Sequence, residues 1–215
     1  METTYEFKCA FCGPRVCCTG EDRKLPPFCP MPVAQEVIAE THQAYLDNDA
    51  VRSLALESAR TESAGYCQWT RLEEIIYFAR RLGVENIGIA HCDGLAREAK
   101  ITHQILESRG FTVNSVRCKA GNLDKERLGL TDEEKVLPGQ YESACNPIAQ
   151  AKLLEEAGCQ LNVVIGLCVG HDSLFFLHSK VPTTVLIAKD RVLGHNPAAA
   201  LYTSHSYYKH LAPEQ

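Results

Sequence analysis

The stretch "LNVVIGLCVGHDS", residues 161–173, joins the most apolar segment of the chain to a cysteine, a histidine and an aspartate. Its run of aliphatic residues predicts a buried strand over Leu161–Cys168. His171 and Asp172 follow, and Asp172 predicts the start of a helix over Ser173–His178, because aspartate is a favoured N-cap residue. The stretch therefore predicts a strand that delivers thiol and polar side chains to one edge of a sheet.

Three more strands and two more helices are predicted around this segment. The strands are Ile87–His91, Thr112–Cys118 and Thr183–Ala188, and the helices are Leu95–Ser108 and Pro147–Ala157. Nearly continuous apolar strands that alternate with helices are typical of a parallel sheet covered on both faces. Crossovers between parallel strands are right-handed, so the sequence predicts an α/β fold with a Rossmann-like, doubly wound, mainly parallel sheet.

The amino-acid composition and the hydrophobic periodicity are different in the residues that precede this sheet. Residues 1–32 are rich in cysteine and proline, which predicts a cysteine-rich metal-binding segment. Residues 33–82 carry apolar side chains at helical spacing and predict helices. We expect these helices and the sheet to form one compact unit over 33–215, in which the polar stretch Ala120–Tyr141 is a loop with a short helix.

Composition restricts the classes of function. The formal net charge is −5 and no basic block is present, which argues against a nucleic-acid partner. The longest apolar stretch is far too short to span a membrane, and the acidic start is unlike a secretory signal. We therefore expect a cytoplasmic protein, and in a reducing compartment its 11 cysteines indicate metal binding or redox chemistry.

Four cysteines are predicted to meet at the carboxyl edge of the sheet. Cys92, Cys118 and Cys168 each end or follow a strand, and Cys145 precedes a helix that returns from the same edge. Ligands bind at this edge in doubly wound sheets, especially where the winding reverses. If the strand order is two-one-three, Cys92 and Cys168 flank that reversal.

A set of four thiolates suits an iron–sulfur cluster or zinc. Cysteines outnumber the histidine and carboxylate ligands that catalytic zinc sites use, which favours a cluster of the 4Fe-4S type at this edge. His91, His171 and Asp172 crowd the same edge and are candidate catalytic or ligand-supporting groups. For His171 a capping or surface role is an alternative, and Asp172 is equally an N-cap.

A second cysteine set lies in "CAFCGPRVCCTGEDRKLPPFCP", residues 9–30. The spacing C-x2-C-x4-C with a later Cys-Pro is typical of metal-binding loops, in which close pairs and a distant cysteine share one centre. This pattern predicts zinc or a second iron–sulfur cluster. The expected ligands are Cys9, Cys12, Cys17 and Cys29, with Cys18 as the alternative. Elsewhere, Cys159 is expected to be structural and Cys67 is left open.

Several motifs together resemble a bacterial and archaeal family of unknown function whose members are described only as metal-binding proteins. They are "IGIAHCDGLAREAK", "CNPIAQA", "GLCVGHDSLF" and "AKDRVLGHNPAAALY", with the N-terminal cysteine pattern that ends in "CPM". The resemblance covers essentially the whole chain. It implies metal binding by the four cysteines of the sheet edge and by Cys9, Cys12, Cys17 and Cys29, whereas Cys18 and Cys67 do not match the pattern.

Three functions follow as hypotheses. The first is an iron–sulfur protein that performs redox or sulfur-atom chemistry on a small molecule, with that molecule or an electron-transfer protein as its partner. The second is a zinc protein, structural at the N-terminus and hydrolytic at the sheet edge. The third is a metal sensor or carrier without catalysis. Dinucleotide-binding and P-loop motifs are missing after the predicted strands, so nucleotide binding has no support. The sequence does not settle the oligomeric state.

Overall fold

The computed structural model describes residues 6–21 and 23–213. The chain forms two compact units that divide between Arg60 and Thr61. This division falls inside the region predicted to be helical. The functional division into residues 1–32 and 33–215 stays a prediction, because it concerns metal binding by the cysteine-rich segment.

The first unit contains short helices followed by two longer ones. The helices are α1 (Val16–Thr19), α2 (Pro30–Val33), α3 (Gln35–Asp47) and α4 (Asp49–Gly65), the last of which continues into the second unit. The short helices reflect a segment without apolar periodicity. In contrast, the N-terminus of α4 is capped, because the Asn48 side chain accepts hydrogen bonds from the amides of Ala50 and Val51. Among the described residues, no helix has the length and apolar character needed to cross a bilayer.

The second unit is an α/β fold with four parallel strands. Its elements are α5 (Arg71–Arg81), β1 (Asn86–His91), α6 (Ala96–Ser108), β2 (Thr112–Arg117), α7 (Pro147–Glu156), β3 (Leu161–Ile165), α8 (His171–His178), β4 (Thr183–Ile187) and α9 (Ala198–Tyr202). The strand order is β2-β1-β3-β4, and every pairing is parallel. The predicted α/β class, the parallel sheet and the two-one-three order are confirmed.

The winding reverses beside β1. The chain passes from β1 through α6 to β2 on one side, and then returns through α7 to β3 on the other side. Right-handed crossovers in opposite directions place α6 and α7 on opposite faces of the sheet. The point of reversal therefore lies between the carboxyl ends of β1 and β3, where ligands bind in this class of fold.

The end of β3 differs from the prediction. The strand stops at Ile165, because Gly166 adopts a left-handed φ of 64° and the Leu95 side chain occupies the space of a Cβ atom there. The next helix, α8, begins at His171 with Gly170 as N-cap. The predicted N-cap role of Asp172 is therefore wrong: Asp172 lies in the first turn, where its carboxylate accepts a hydrogen bond of 2.8 Å from the Ser173 amide.

The predicted loop over Ala120–Tyr141 is confirmed, with two 3-10 turns at Glu126–Leu128 and Asp132–Glu134. Its buried anchor is Lys135, whose ammonium group forms ion pairs with Glu126 and with Asp132 at 2.8 Å. A charged amine is rarely buried unless it is paired. The loop between β2 and α7 is thus an ordered segment that is stabilised by its own turns and ion pairs.

The core of the second unit lies on the central strands and the helices that cover them. Fully buried side chains come from β1, β3, α6, α7 and α8, and they include Ile87, Ile89, Leu106, Leu154, Val163, Ile165 and Phe175. Gly88 in β1 leaves room for Leu154 of α7 and for the Asn162 side chain of β3. This close approach holds α7 against the sheet.

Two adjacent leucines of α7 test this packing. Leu154 is fully buried, whereas Leu153 is 48% exposed. We expect Leu154→Ala to lower the free energy of unfolding by about 2–5 kcal/mol, because it leaves a cavity between α7 and the sheet. We expect Leu153→Ala to change it by about 0.5 kcal/mol or less. Urea denaturation measures both values, and equal effects would contradict the packing.

Candidate metal centre

Four cysteines, the rim cysteines, lie at the carboxyl edge of the sheet. Cys92 directly follows β1 and Cys118 directly follows β2. Cys168 lies three residues beyond β3, and Cys145 lies two residues before α7. The parallel sheet therefore brings to one edge four thiols that are widely separated in sequence.

Hydrogen bonds between the two ends of the long loop that joins β2 to α7 hold Cys118 and Cys145 together. The Asn146 amide donates a hydrogen bond of 2.7 Å to the Cys118 carbonyl oxygen, and the Lys119 ammonium group donates to the Ser143 carbonyl oxygen. As a result, the Sγ atoms of Cys118 and Cys145 are only 3.7 Å apart. The Asn146 side chain also caps α7 by accepting from the Ala149 amide, which fixes where that helix begins.

Three of the rim thiols, those of Cys92, Cys118 and Cys145, shift one another's pKa values. The neighbouring Cys118 thiol, followed by the hydrogen bond from Lys189, lowers the pKa of Cys92 to about 4. Contact with the Cys118 thiol, with the charge of Lys119, lowers the pKa of Cys145 to about 6. The two neighbouring thiols, together with burial, raise the pKa of Cys118. Cys92 and Cys145 are thus the thiols of this group that ionise more readily.

Backbone amides and cations surround these sulfur atoms. The Asp93 amide donates to Cys118 Sγ at 3.3 Å, and the Lys189 ammonium group lies 3.0 Å from Cys92 Sγ. Cys168 is held differently, because an Arg191 guanidinium nitrogen lies 3.0 Å from its Sγ atom. Thiolates are the metal-binding form of cysteine, and cations favour that form. The rim therefore combines thiols with groups that favour thiolates, and metal binding there stays a prediction.

The present positions of the side chains do not outline a site for a single ion. Among residues 6–21 and 23–213, no group of three or more histidine, cysteine, aspartate or glutamate side chains surrounds one point closely enough to hold a metal ion. Four thiolates on one zinc ion would lie about 3.8 Å apart, given Zn–S bonds of roughly 2.3 Å. The Sγ atoms of Cys118 and Cys145 are separated by this distance, whereas the Cys168 thiol accepts a hydrogen bond from Arg191.

The two histidines predicted at the site have different surroundings. His91 is buried, and its Nδ1 atom lies 2.9 Å from the Cys92 carbonyl oxygen. Because a carbonyl only accepts, Nδ1 of His91 carries the proton. Nδ1 of His171 is buried and has no hydrogen-bond partner in the described part of the chain. The catalytic roles of His91, His171 and Asp172 stay predictions.

The structure adds three residues that the sequence analysis missed. Lys189 and Arg191 follow β4, so the rule that located the cysteines at the ends of strands would also have located them. Gln150 is fully buried in α7, and its amide group donates to the carbonyl oxygens of His91 and Val116 at 3.2 and 2.7 Å. The sequence feature that could have indicated Gln150 is a glutamine on the predicted buried face of a helix.

The N-terminal cysteines gather around a cavity of about 220 Å³ in the first unit. All five of them line it: Cys9, Cys12, Cys17, Cys18 and Cys29. The rest of the lining is largely apolar and includes Leu25, Phe28 and Met31, with Arg15 as its cation. The adjacent thiols of Cys17 and Cys18 are 4.0 Å apart. The segment thus brings its thiols to one cavity, although their role as ligands stays a prediction.

The two remaining cysteines, Cys159 and Cys67, are neither rim cysteines nor among the residues that line the N-terminal cavity. Cys159 is 5% exposed at the amino edge of the sheet, and burial raises the pKa of its thiol. Its surroundings fit the predicted structural role. Cys67 is exposed and has a left-handed φ of 55°.

The fold and the site define a doubly wound α/β protein with a thiol-rich carboxyl edge. Residues 29–186 match the family model described as "Protein of unknown function (DUF1847)". A relative from Methanocaldococcus jannaschii, named "Uncharacterized protein MJ0455", is 44% identical over 205 residues, which cover 95% of this chain and 98% of the relative. The chain therefore belongs to the DUF1847 family, and the predicted resemblance to a cysteine-rich family of unknown function is confirmed.

Controlled oxidation of the metal-free protein tests the proximity of the rim thiols. We expect diamide to link Cys118 to Cys145, because their Sγ atoms are only 3.7 Å apart. Diamide takes up the two electrons and two protons that a disulfide releases. Peptide mass spectrometry identifies the linked pair, and buried Cys159 is the internal control. Links that involve Cys159 but not Cys118 would contradict the geometry.

Proposed function

We propose that the chain is an iron–sulfur protein whose rim cysteines, Cys92, Cys118, Cys145 and Cys168, hold a cluster of the 4Fe-4S type. The observation that carries this proposal is the gathering of thiols from separate elements at the carboxyl edge, where the Sγ atoms of Cys118 and Cys145 are 3.7 Å apart and Cys92 directly follows β1. A 4Fe-4S cluster takes one thiolate at each iron atom, so it accepts thiolates that are not all in mutual contact.

The surroundings of the thiols support an anionic cluster. Amide and ammonium groups donate to sulfur at Cys92 and Cys118, and the charge of Lys119 acts on Cys145. Hydrogen bonds to cluster sulfur atoms are among the levers by which proteins set the reduction potential. Bound there, a cluster would supply one-electron chemistry or an iron atom that binds sulfur. We therefore propose redox or sulfur-atom chemistry on a small molecule.

Zinc is the alternative at this site. The separation of 3.7 Å between Cys118 and Cys145 matches the spacing of about 3.8 Å on the edge of a tetrahedral zinc site. A zinc protein would be structural at the N-terminus and could be hydrolytic at the rim, and a metal sensor or carrier would use the same thiols without catalysis.

For the N-terminal segment we propose a second metal centre, with Cys9, Cys12, Cys17 and Cys29 as ligands and Cys18 as the alternative. The shared cavity and its apolar lining support this proposal, because an apolar shell limits the access of solvent to a metal site. Both zinc and a second iron–sulfur cluster are compatible with an all-thiolate ligand set.

Metal analysis of the protein purified without oxygen tests the proposed function. We expect a brown protein with broad visible absorption that contains iron and acid-labile sulfide. Elemental analysis and a colorimetric sulfide assay provide the measurement. A colourless protein with stoichiometric zinc and no iron would contradict the iron–sulfur proposal and support the alternative.

Single cysteine replacements assign metal to the two sites. We expect Cys118→Ser to deplete the metal of the rim and to spare the N-terminal metal, because serine removes the central thiol. We expect Cys12→Ser to have the opposite effect. Cys159→Ser is the matched control, since this buried thiol lies at the other edge of the sheet. Metal content that stays unchanged in Cys118→Ser would refute the rim assignment.

A further inference from the structure

Two cations at the rim, Lys189 and Arg191, have thiols as their hydrogen-bond partners. Lys189 and Arg191 form no ion pair with an aspartate or glutamate among the described residues, and each donates one hydrogen bond to a rim thiol. An ammonium group has three donors and a guanidinium group has five. Six of their eight donors are therefore available beside the sulfur atoms.

The segment after β4 holds these cations in place. The Asp190 carboxylate accepts hydrogen bonds from the amides of Val192 and Leu193 at 2.9 and 2.7 Å. The His195 ring accepts from the Asp190 amide at 3.1 Å, and the His195 amide donates to the Asp190 carbonyl oxygen at 2.9 Å. Arg191 thus belongs to a closed, hydrogen-bonded loop, and its backbone position is preorganised.

Gly94, which has no side chain, provides space for the Lys189 ammonium group. A Cβ atom at position 94 would lie 3.1 Å from the Lys189 ammonium nitrogen. The head group of Lys189 therefore rests on the backbone that follows Cys92, whereas Arg191 is exposed to solvent beside the half-buried Cys168. Together the two cations extend from the buried thiols to the surface.

A further polar atom belongs to this site. The buried Nδ1 atom of His171 lacks a partner among the described residues, and His171 begins α8, three positions after Cys168. The backbone of the same turn is fixed, because the His171 amide donates to the Cys168 carbonyl oxygen at 2.9 Å. A buried polar atom without a partner is rare in folded proteins, and this nitrogen can accept from or donate to a molecule bound at the edge.

We propose that Lys189 and Arg191 select a small molecule that carries a carboxylate and hold it next to the rim cofactor. This inference rests on the proposed function, which supplies the cofactor. Arginine presents a planar fork that matches a carboxylate, and the lysine adds a point charge. The substrate class is therefore a small carboxylate rather than an uncharged molecule.

The test compares two probes of nearly the same shape. Mercaptoacetate and 2-mercaptoacetamide both carry a thiol, and they differ only in a carboxylate or carboxamide group. Each is titrated into the metal-loaded protein, and binding is followed by calorimetry and by the change in the visible spectrum. We expect mercaptoacetate to bind about tenfold or more tightly, because charge-assisted hydrogen bonds are stronger than neutral ones.

Matched variants locate the source of this preference. Lys189→Gln and Arg191→Gln should each reduce it, and Arg191→Lys should retain part of it, since the charge remains but the fork is lost. Lys180→Gln is the control, because Lys180 is exposed and precedes β4 whereas Lys189 follows it. A preference that persists in Lys189→Gln and Arg191→Gln would overturn the inference, as would equal binding of the two probes.

Metal content is measured on each sample before the titration. Protein without iron contradicts the proposed iron–sulfur function, whereas the probe preference remains measurable by calorimetry on protein that carries zinc or no metal. An iron-containing protein without the preference contradicts only the inference. If Arg191→Gln loses its metal, Arg191→Lys replaces it, and if Lys189→Gln loses its metal, Lys189→Arg replaces it, because each keeps a positive charge beside its thiol.

Discussion

The parallel pairing of β1 with β2 and β3 is the constraint on which the whole candidate site depends. Because the three strands run in one direction, the residues after them meet at one edge. Connections between parallel strands must cross over the sheet, which requires α6 and α7 and leaves their first turns at the same edge. Cys145 reaches the rim in this way, although it does not follow a strand. A change of direction in any one strand would move its thiol to the opposite edge.

The rim also shows how a buried set of thiols is stabilised. Thiolates crowded together repel each other, and burial disfavours their charge. Here the pKa of Cys118 is raised and that of Cys92 is lowered, while amide and ammonium groups donate to the sulfur atoms. The same donors would act on a bound anionic cofactor. The electrostatic features that make the thiols reactive are thus the ones that would hold a cofactor and a carboxylate, which links the two proposals.

Prediction from sequence worked where the signal is local. Apolar runs and cap residues located the strands and helices to within a few residues, and Asn146 marked the start of α7 correctly. It failed at Asp172, because two glycines with left-handed φ values ended β3 and started α8 earlier than the polar pattern indicated. The positions of the cysteines relative to the sheet were predictable, since each follows from the end of a neighbouring element.

By itself, the sequence determined the fold class and the edge at which the chemistry is concentrated, because periodicity and chain direction are properties of short segments. Only the tertiary structure decided which groups contact the thiols. Lys189 and Cys92 are 97 residues apart, and Cys118 and Cys145 are 27 apart. Contacts of this kind depend on strand register, on the fold of the long loop and on side-chain packing between elements. No local pattern encodes them, which is why the central role of Cys118, the separate position of Cys168 and the paired cations emerged only from the folded chain.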